Sequence, residues 1–261
     1  MNIRKIAALI VALLLIALFL ALVNPIEGEP ITKLFVTRAA EQYMADSYSG
    51  TDFYIDRIAY SFKTGTYHAE IKSPTSIDTE FALSFEMTGQ LRWDSYDDNV
   101  LSGWNTAQRL DAAYRALTDT VLESEAFPYS SHLAYGRLEI CPEELMNNPE
   151  ITDIPSYTLI QDDLVIDKEY DIASLGAQAG HLILYIESDT VTPERAAEIM
   201  LDIKARFDEA GLPFMAMDFI LWYPMPADGN RPEGELRVSN FLYADIYEEG
   251  LSERIAAANI T

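Results

Sequence analysis

The chain has 261 residues, 49% of them hydrophobic, and a formal net charge of −24 from 18 Lys and Arg against 42 Asp and Glu. That charge excludes nucleic acid, whose phosphates need a cationic face, and speaks against the body lying flat on anionic lipid. A single cysteine, Cys141, excludes an intrachain disulfide and a cysteine-based metal site.

The first predicted element is Ile6–Val23, read as a membrane span. It carries no charge, no Gly and no Pro. Eighteen residues at about 1.5 Å each give roughly 27 Å of helix, close to the hydrocarbon thickness of a bilayer. Arg4 and Lys5 precede it, and the nearest charge after it is Glu27. Positive charge before the span predicts the N-terminus in the cytoplasm and Asn24–Thr261 outside. The run is long for a cleaved signal, and Ala21 and Val23 make a poor cleavage site before Pro25, so a permanent single-pass anchor is expected.

Asn24–Pro30 reads as a linker. Thr32–Tyr48 has Ile31, Leu34, Phe35, Ala39, Tyr43 and Met44 at helical spacing, with Gly50 as the stop. Four alternating runs follow, around Ile58–Phe62, Tyr67–Ile71, Phe81–Met87 and Leu91–Trp93. Turns at Lys63-Thr64-Gly65, Ser73-Pro74 and Thr88-Gly89 separate them, so an antiparallel meander is predicted. Strict alternation demands one covered face, and Phe81, Leu83 and Phe85 are expected to lie under Leu34 and Phe35 of the first helix.

After a boundary at Leu101–Asn105, a helix carries Leu110, Ala113, Tyr114, Leu117 and Val121 on one face. His132–Ile140 reads as a strand. Pro142–Ala179 is broken by three prolines, with a short strand near Tyr157–Leu164. His181 opens a buried-type strand. Thr192-Pro193 starts a helix through Phe207, and two strands follow, Phe214–Tyr223 and Glu235–Ile246. The order is β-α-β-β, with a weak helix from Gly250. The fold class is therefore α+β: an anchor over residues 1–23, a linker over 24–30, a helix-plus-meander unit over 31–100, and a second α+β unit over 101–261.

Lys63-Thr64-Gly65 spells an element of penicillin-binding enzymes, but no Ser has a Lys three residues after it, so a hairpin turn is expected. His68, His132 and His181 lie in no metal-binding pattern, and His181 is read as a structural residue opening its strand. Asp94, Asp97 and Asp98 form the densest acidic cluster and are weak metal candidates, since hard cations want several carboxylate oxygens. Their spacing does not match an EF-hand loop, whose invariant Gly is missing, and a polar strand end or turn accounts for them. Pro224–Gly234 is a long, proline-rich hairpin loop beside aromatic residues. Trp222, Tyr223, Met225, Asp228 and Arg231 are the interaction candidates there. No catalytic or cofactor-binding residue is assigned, and no cofactor is expected.

Tyr60–Tyr67 reads YxFKxGxY, Ser73–Asp78 reads SPxSxD, and Asp94–Val100 reads DxYxxxV, with Phe81 between them. Over Tyr43–Val100 this resembles the N-terminal domain of the YfjL-like proteins of Gram-positive bacteria. The resemblance implies a membrane-anchored protein of uncharacterised function and brings no catalytic residues. Three classes follow. The first is a membrane-tethered extracytoplasmic binding or regulatory module with an unknown protein or cell-envelope partner. The second is an enzyme using carboxylates assembled in space. The third is a cation-dependent structural or adhesive protein.

Overall fold

A computed structural model describes residues 11–12, 29–226 and 234–259. Apart from Val11 and Ala12, the predicted span Ile6–Val23 lies outside the described residues. Among the described residues, no helix is long and apolar enough to cross a membrane. The fold is α+β with antiparallel strand pairs, and the chain divides into two compact units, Met1–Asn105 and Thr106–Thr261.

In the first unit, α1 (Pro30–Ser47) starts on a proline, whose fixed φ and missing N–H suit a first helical turn. Strands β1 (Tyr54–Ser61), β2 (Thr66–Lys72), β3 (Glu80–Phe85) and β4 (Leu91–Asp94) form an antiparallel meander in sequence order. Gly65 and Gly89 occupy left-handed backbone in its hairpin turns, as tight turns require. Phe81, Leu83 and Phe85 are buried as their alternation demands.

The helix face above them differs from the expected one. Leu34 and Phe35 are 52% and 56% exposed, and the buried residues of α1 are Val36 and Ala40. The reason is distance. Small side chains let the helix approach the sheet closely. The β3–β4 turn lies against the same helix, where a Cβ placed on Gly89 would be in contact with Ala39 Cβ at 3.4 Å.

At the far end of the unit, Tyr48, Phe53, Phe81 and Tyr96 pack as four mutually contacting rings, with centroids 5.1–5.7 Å apart. A π-helical turn (Asp97–Leu101) leads into α2 (Trp104–Leu122).

The second unit holds β5 (Ser131–Leu138), the short strands β6 (Ile140–Cys141) and β7 (Leu159–Ile160), α3 (Glu143–Met146) and α4 (Ile172–Ala179). Then come β8 (Gly180–Glu187), α5 (Pro193–Glu209), β9 (Ala216–Trp222), β10 (Glu235–Leu242) and α6 (Leu251–Ala258). The main sheet has the order β10-β9-β8-β5. Its central pair β8/β9 is parallel, and the two outer pairs are antiparallel. A parallel pair needs a crossover, which α5 supplies, capped by Thr192 Oγ1 accepting from the Arg195 N–H.

One face of this sheet, with Leu182, Leu184, Ile186, Phe219 and Leu221, packs on Ile199, Met200, Ile203 and Phe207 of α5 and on Leu251 and Ile255 of α6. α2 crosses β5 closely at Gly136, whose N–H donates to Thr118 Oγ1. A Cβ on Gly136 would lie 2.5 Å from Thr118 Cγ2. Gly136→Ala should therefore cost about 1–3 kcal/mol by overpacking, read as a lower urea midpoint. An unchanged midpoint would show that Thr118 can yield.

Each edge strand of the two four-stranded sheets carries a register shift. The shifts fall between Ile55 and Arg57 in β1, and between Ser131 and Leu133 in β5. They fall between Val238 and Phe241 in β10, and where β4 pairs with Ser84 and Phe85.

Candidate functional site

The sheet face opposite α5 carries His181, Ile183, Tyr185 and Glu187 of β8. Beside them are Asp218, Ile220 and Trp222 of β9, and Leu133, Tyr135 and Arg137 of the paired β5. Leu133 and Arg137 at the edge are exposed, Tyr185 and Trp222 are half-buried, and His181 and Ile183 are buried. Polar chemistry gathers at both ends of this face. Six residue steps along β8 separate His181 from Glu187, roughly 20 Å.

At the first end, His181 is 2% exposed. Its Nδ1 lies 2.8 Å from Tyr157 Oη and 3.3 Å from Glu139 Oε1. Its Nε2 lies 3.1 Å from Asp218 Oδ1, within ion-pair range but off the line of a hydrogen bond. Tyr157 Oη donates to Asn240 Oδ1 at 2.8 Å, and the Asn240 N–H donates to Asp218 Oδ1 at 2.8 Å. Asn240 holds a left-handed backbone at the irregularity of β10, and that conformation turns its N–H inward. Arg137 Nε donates to Glu139 Oε1 at 2.8 Å.

Burial pushes the Asp218 carboxyl up, but His181 and the Asn240 N–H outweigh it and hold the group below its ordinary value. Burial, then the charges of Glu139 and Asp218, raise the Tyr157 hydroxyl. A cavity of about 300 Å³ opens onto these groups, lined also by Asp153, Thr158 and Cys141. Cys141 is half-buried, with its thiol raised by burial and by Glu139.

At the other end, Glu187 Oε1 lies 2.8 Å from His132 Nε2, and Ser130 Oγ donates to Glu187 Oε2. Burial pushes the Glu187 carboxyl up, while Ser130 and His132 bring the balance below its ordinary value. The Trp222 ring meets His132 edge-on at 5.5 Å and Tyr185 at 5.6 Å. Tyr223 is half-buried and Met225 exposed. Asp228 and Arg231 lie outside the described residues.

The acidic candidates of the first unit are differently disposed. Asp94 Oδ2 accepts from Tyr43 Oη at 2.9 Å and Tyr48 Oη at 2.6 Å, and its Oδ1 accepts from the Tyr96 N–H. Asp97 and Asp98 are exposed at the start of the π-helical turn. Among the described residues, no group of three His, Cys, Asp or Glu is placed to hold a metal ion. Lys63 lies in the turn between β1 and β2, where the Gly65 N–H donates to Ser61 O.

Sequence reasoning named His181 but none of Glu139, Tyr157, Asp218 and Asn240. They come from four separate segments, so no spacing joins them. One local signal existed: Asp218 is the only charged residue in the run from Phe214 to Tyr223.

Residues 3–95 match the YfjL-like, N-terminal domain, and residues 113–256 match the YfjL-like C-terminal domain. No curated protein matches. A solved structure, of a DUF5037 family protein from Ruminococcus gnavus, is 15% identical. The match covers 85% of this chain and 98% of that chain, with a TM-score of 0.24. The two domain matches together take in most of the sequence from near its start to the last helix, and the chain belongs to the YfjL-like family.

Proposed function

We propose that this chain is a single-pass membrane protein whose body lies outside the cell and acts as a binding module. Its partner is a protein or a component of the cell envelope. It meets that partner on the α5-distal face of the second sheet, at the end with Trp222, Tyr223 and Met225 and the loop that carries Asp228 and Arg231. The supporting observation is that one sheet face joins the Tyr185–Trp222 ring pair to the polar cavity at His181. Half-exposed aromatic rings are the residue types that carry interface energy, and a polar cavity at the other end of the same face adds hydrogen-bonding groups. For the location, the support is the uncharged run Ile6–Val23 behind Arg4 and Lys5.

Two measurements test this. External protease on intact cells should remove the body; a protected body overturns the location. In-cell crosslinking should capture a partner, and Trp222→Ala should weaken that capture by about 2 kcal/mol, roughly thirtyfold. Unchanged capture by Trp222→Ala, with loss in the Asp97→Asn, Asp98→Asn double variant, moves the contact to the first unit.

A second reading rests on His181 at the cavity. Tyr157 Oη is hydrogen-bonded to its Nδ1 and the Asp218 carboxylate lies 3.1 Å from its Nε2, a pairing of titratable groups suited to proton transfer. On that reading the cavity holds a substrate. His181→Gln would then abolish turnover of a captured envelope component while leaving its capture intact.

A further inference from the structure

The first unit has two ends of opposite character. At one end lie the β1–β2 and β3–β4 hairpin turns and the start of α1. Tyr67 Oη donates to Glu29 O at 3.1 Å there, and the Gly89 turn lies against Phe35 and Ala39. This end exposes large apolar side chains: Phe62 at 65% and Met87 at 52% in the turns, with Ile31, Leu34 and Phe35 in the first turns of α1. Lys33 and Lys63 are exposed among them, and Glu86 pairs with Arg92. The opposite end carries Asp46, Asp52, Asp97 and Asp98, all exposed. The acidic charge of the unit is thus concentrated away from the apolar end.

The chain itself says what the apolar end faces. Only residues 24–28 separate Val23 from Glu29. Six residue steps span roughly 20 Å fully extended. If Ile6–Val23 spans the bilayer, this end cannot move farther than that from the membrane surface. An apolar rim with lysines fits the boundary between headgroups and acyl chains, where phosphates meet the ammonium groups.

We propose that this end of the first unit lies in the phospholipid headgroup layer of the leaflet that tethers it. Phe62, Met87, Leu34 and Phe35 enter the acyl boundary, and Lys33 and Lys63 meet the phosphates. This rests on the membrane anchoring proposed above. The tether then fixes orientation as well as location, and the acidic end points away from the anionic surface.

The test uses the full chain, with Cys141→Ser, in vesicles of phosphatidylcholine and phosphatidylglycerol. Nitroxides are attached to Phe62→Cys, to Met87→Cys and, as the control, to Ile77→Cys. Ile77 is an equally exposed apolar residue in the β2–β3 turn, at the opposite end. The ratio of oxygen to nickel-chelate collisions should rise several-fold at positions 62 and 87 over position 77. Equal ratios in a chain that floats with the vesicles overturn this proposal and leave the anchoring intact. A chain that does not float overturns the anchoring and this proposal with it. Spin–spin broadening at position 62 that unlabelled protein dilutes away marks a second copy as the occupant. Shielding at position 62 from both reagents marks the chain's own N-terminal segment. Either result overturns the proposal.

Discussion

Phe85→Ala is expected to destabilise the first unit by about 3–5 kcal/mol, the usual cost of deleting a buried ring and leaving its cavity. Phe85 pairs with Tyr67 on β2 and Leu91 on β4, and it is 1% exposed. The neighbouring strands fix its Cα, so the site has little freedom to collapse. Phe35→Ala removes the same ring from an exposed position and should change stability by within about 0.5 kcal/mol. Urea unfolding of both variants checks this. Equal costs would mean that α1 covers the sheet through Phe35 after all.

The second large effect is expected at His181. His181→Ala takes the imidazole from beside the half-buried Asp218 and removes one of the two hydrogen-bond partners of Tyr157, leaving each with Asn240. The loss of these buried polar contacts should cost about 1–3 kcal/mol. The loss should depend on pH. The folded-state value of Asp218 is depressed, so its contribution is complete above the unfolded carboxylate value near 4 and is lost as pH falls through the lower folded value. The native protein should therefore lose stability as pH drops below about 4. The part of that slope due to Asp218 should shrink in His181→Ala, because one of the groups that hold Asp218 low is gone while the Asn240 N–H remains. Urea midpoints at pH 7, 4 and 3 for both proteins read the difference. Parallel pH profiles would show that Asp218 does not depend on His181.

The meander and the β-α-β-β order were legible because period-two alternation and turn residues are local signals. Phe81, Leu83 and Phe85 declare one face by their own spacing, and Thr192-Pro193 declares a helix start by its own chemistry. The face of α1 was not legible in the same way. Ile31, Leu34 and Phe35 and, one step round, Val36 and Ala40 each make an apolar face at helical spacing, and only the packing on the sheet shows that the second is buried. The placement of β5 on the outer side of β8 is a pairing across more than forty residues, with no signal in either strand. The His181 cluster was hidden for the same reason. Glu139, Tyr157 and Asn240 lie in separate segments of the sequence, and the fold alone brings them to one imidazole.

The register shifts in β1, β4, β5 and β10 have a consequence beyond local geometry. An extra residue in an edge strand twists it and breaks the even row of outward N–H and C=O groups. In β10 the Asn240 N–H is drawn inward to Asp218 and cannot bond to anything outside. Molecules held to one surface meet far more often than molecules in free solution, and a straight open strand would then recruit its neighbours into ribbons. Each edge strand of the two sheets is interrupted in this way, and in the second sheet Thr118, Asp111 and Asn259 also take edge N–H groups. If the proposed anchor holds copies to one surface, crowding in that plane need not become polymerisation.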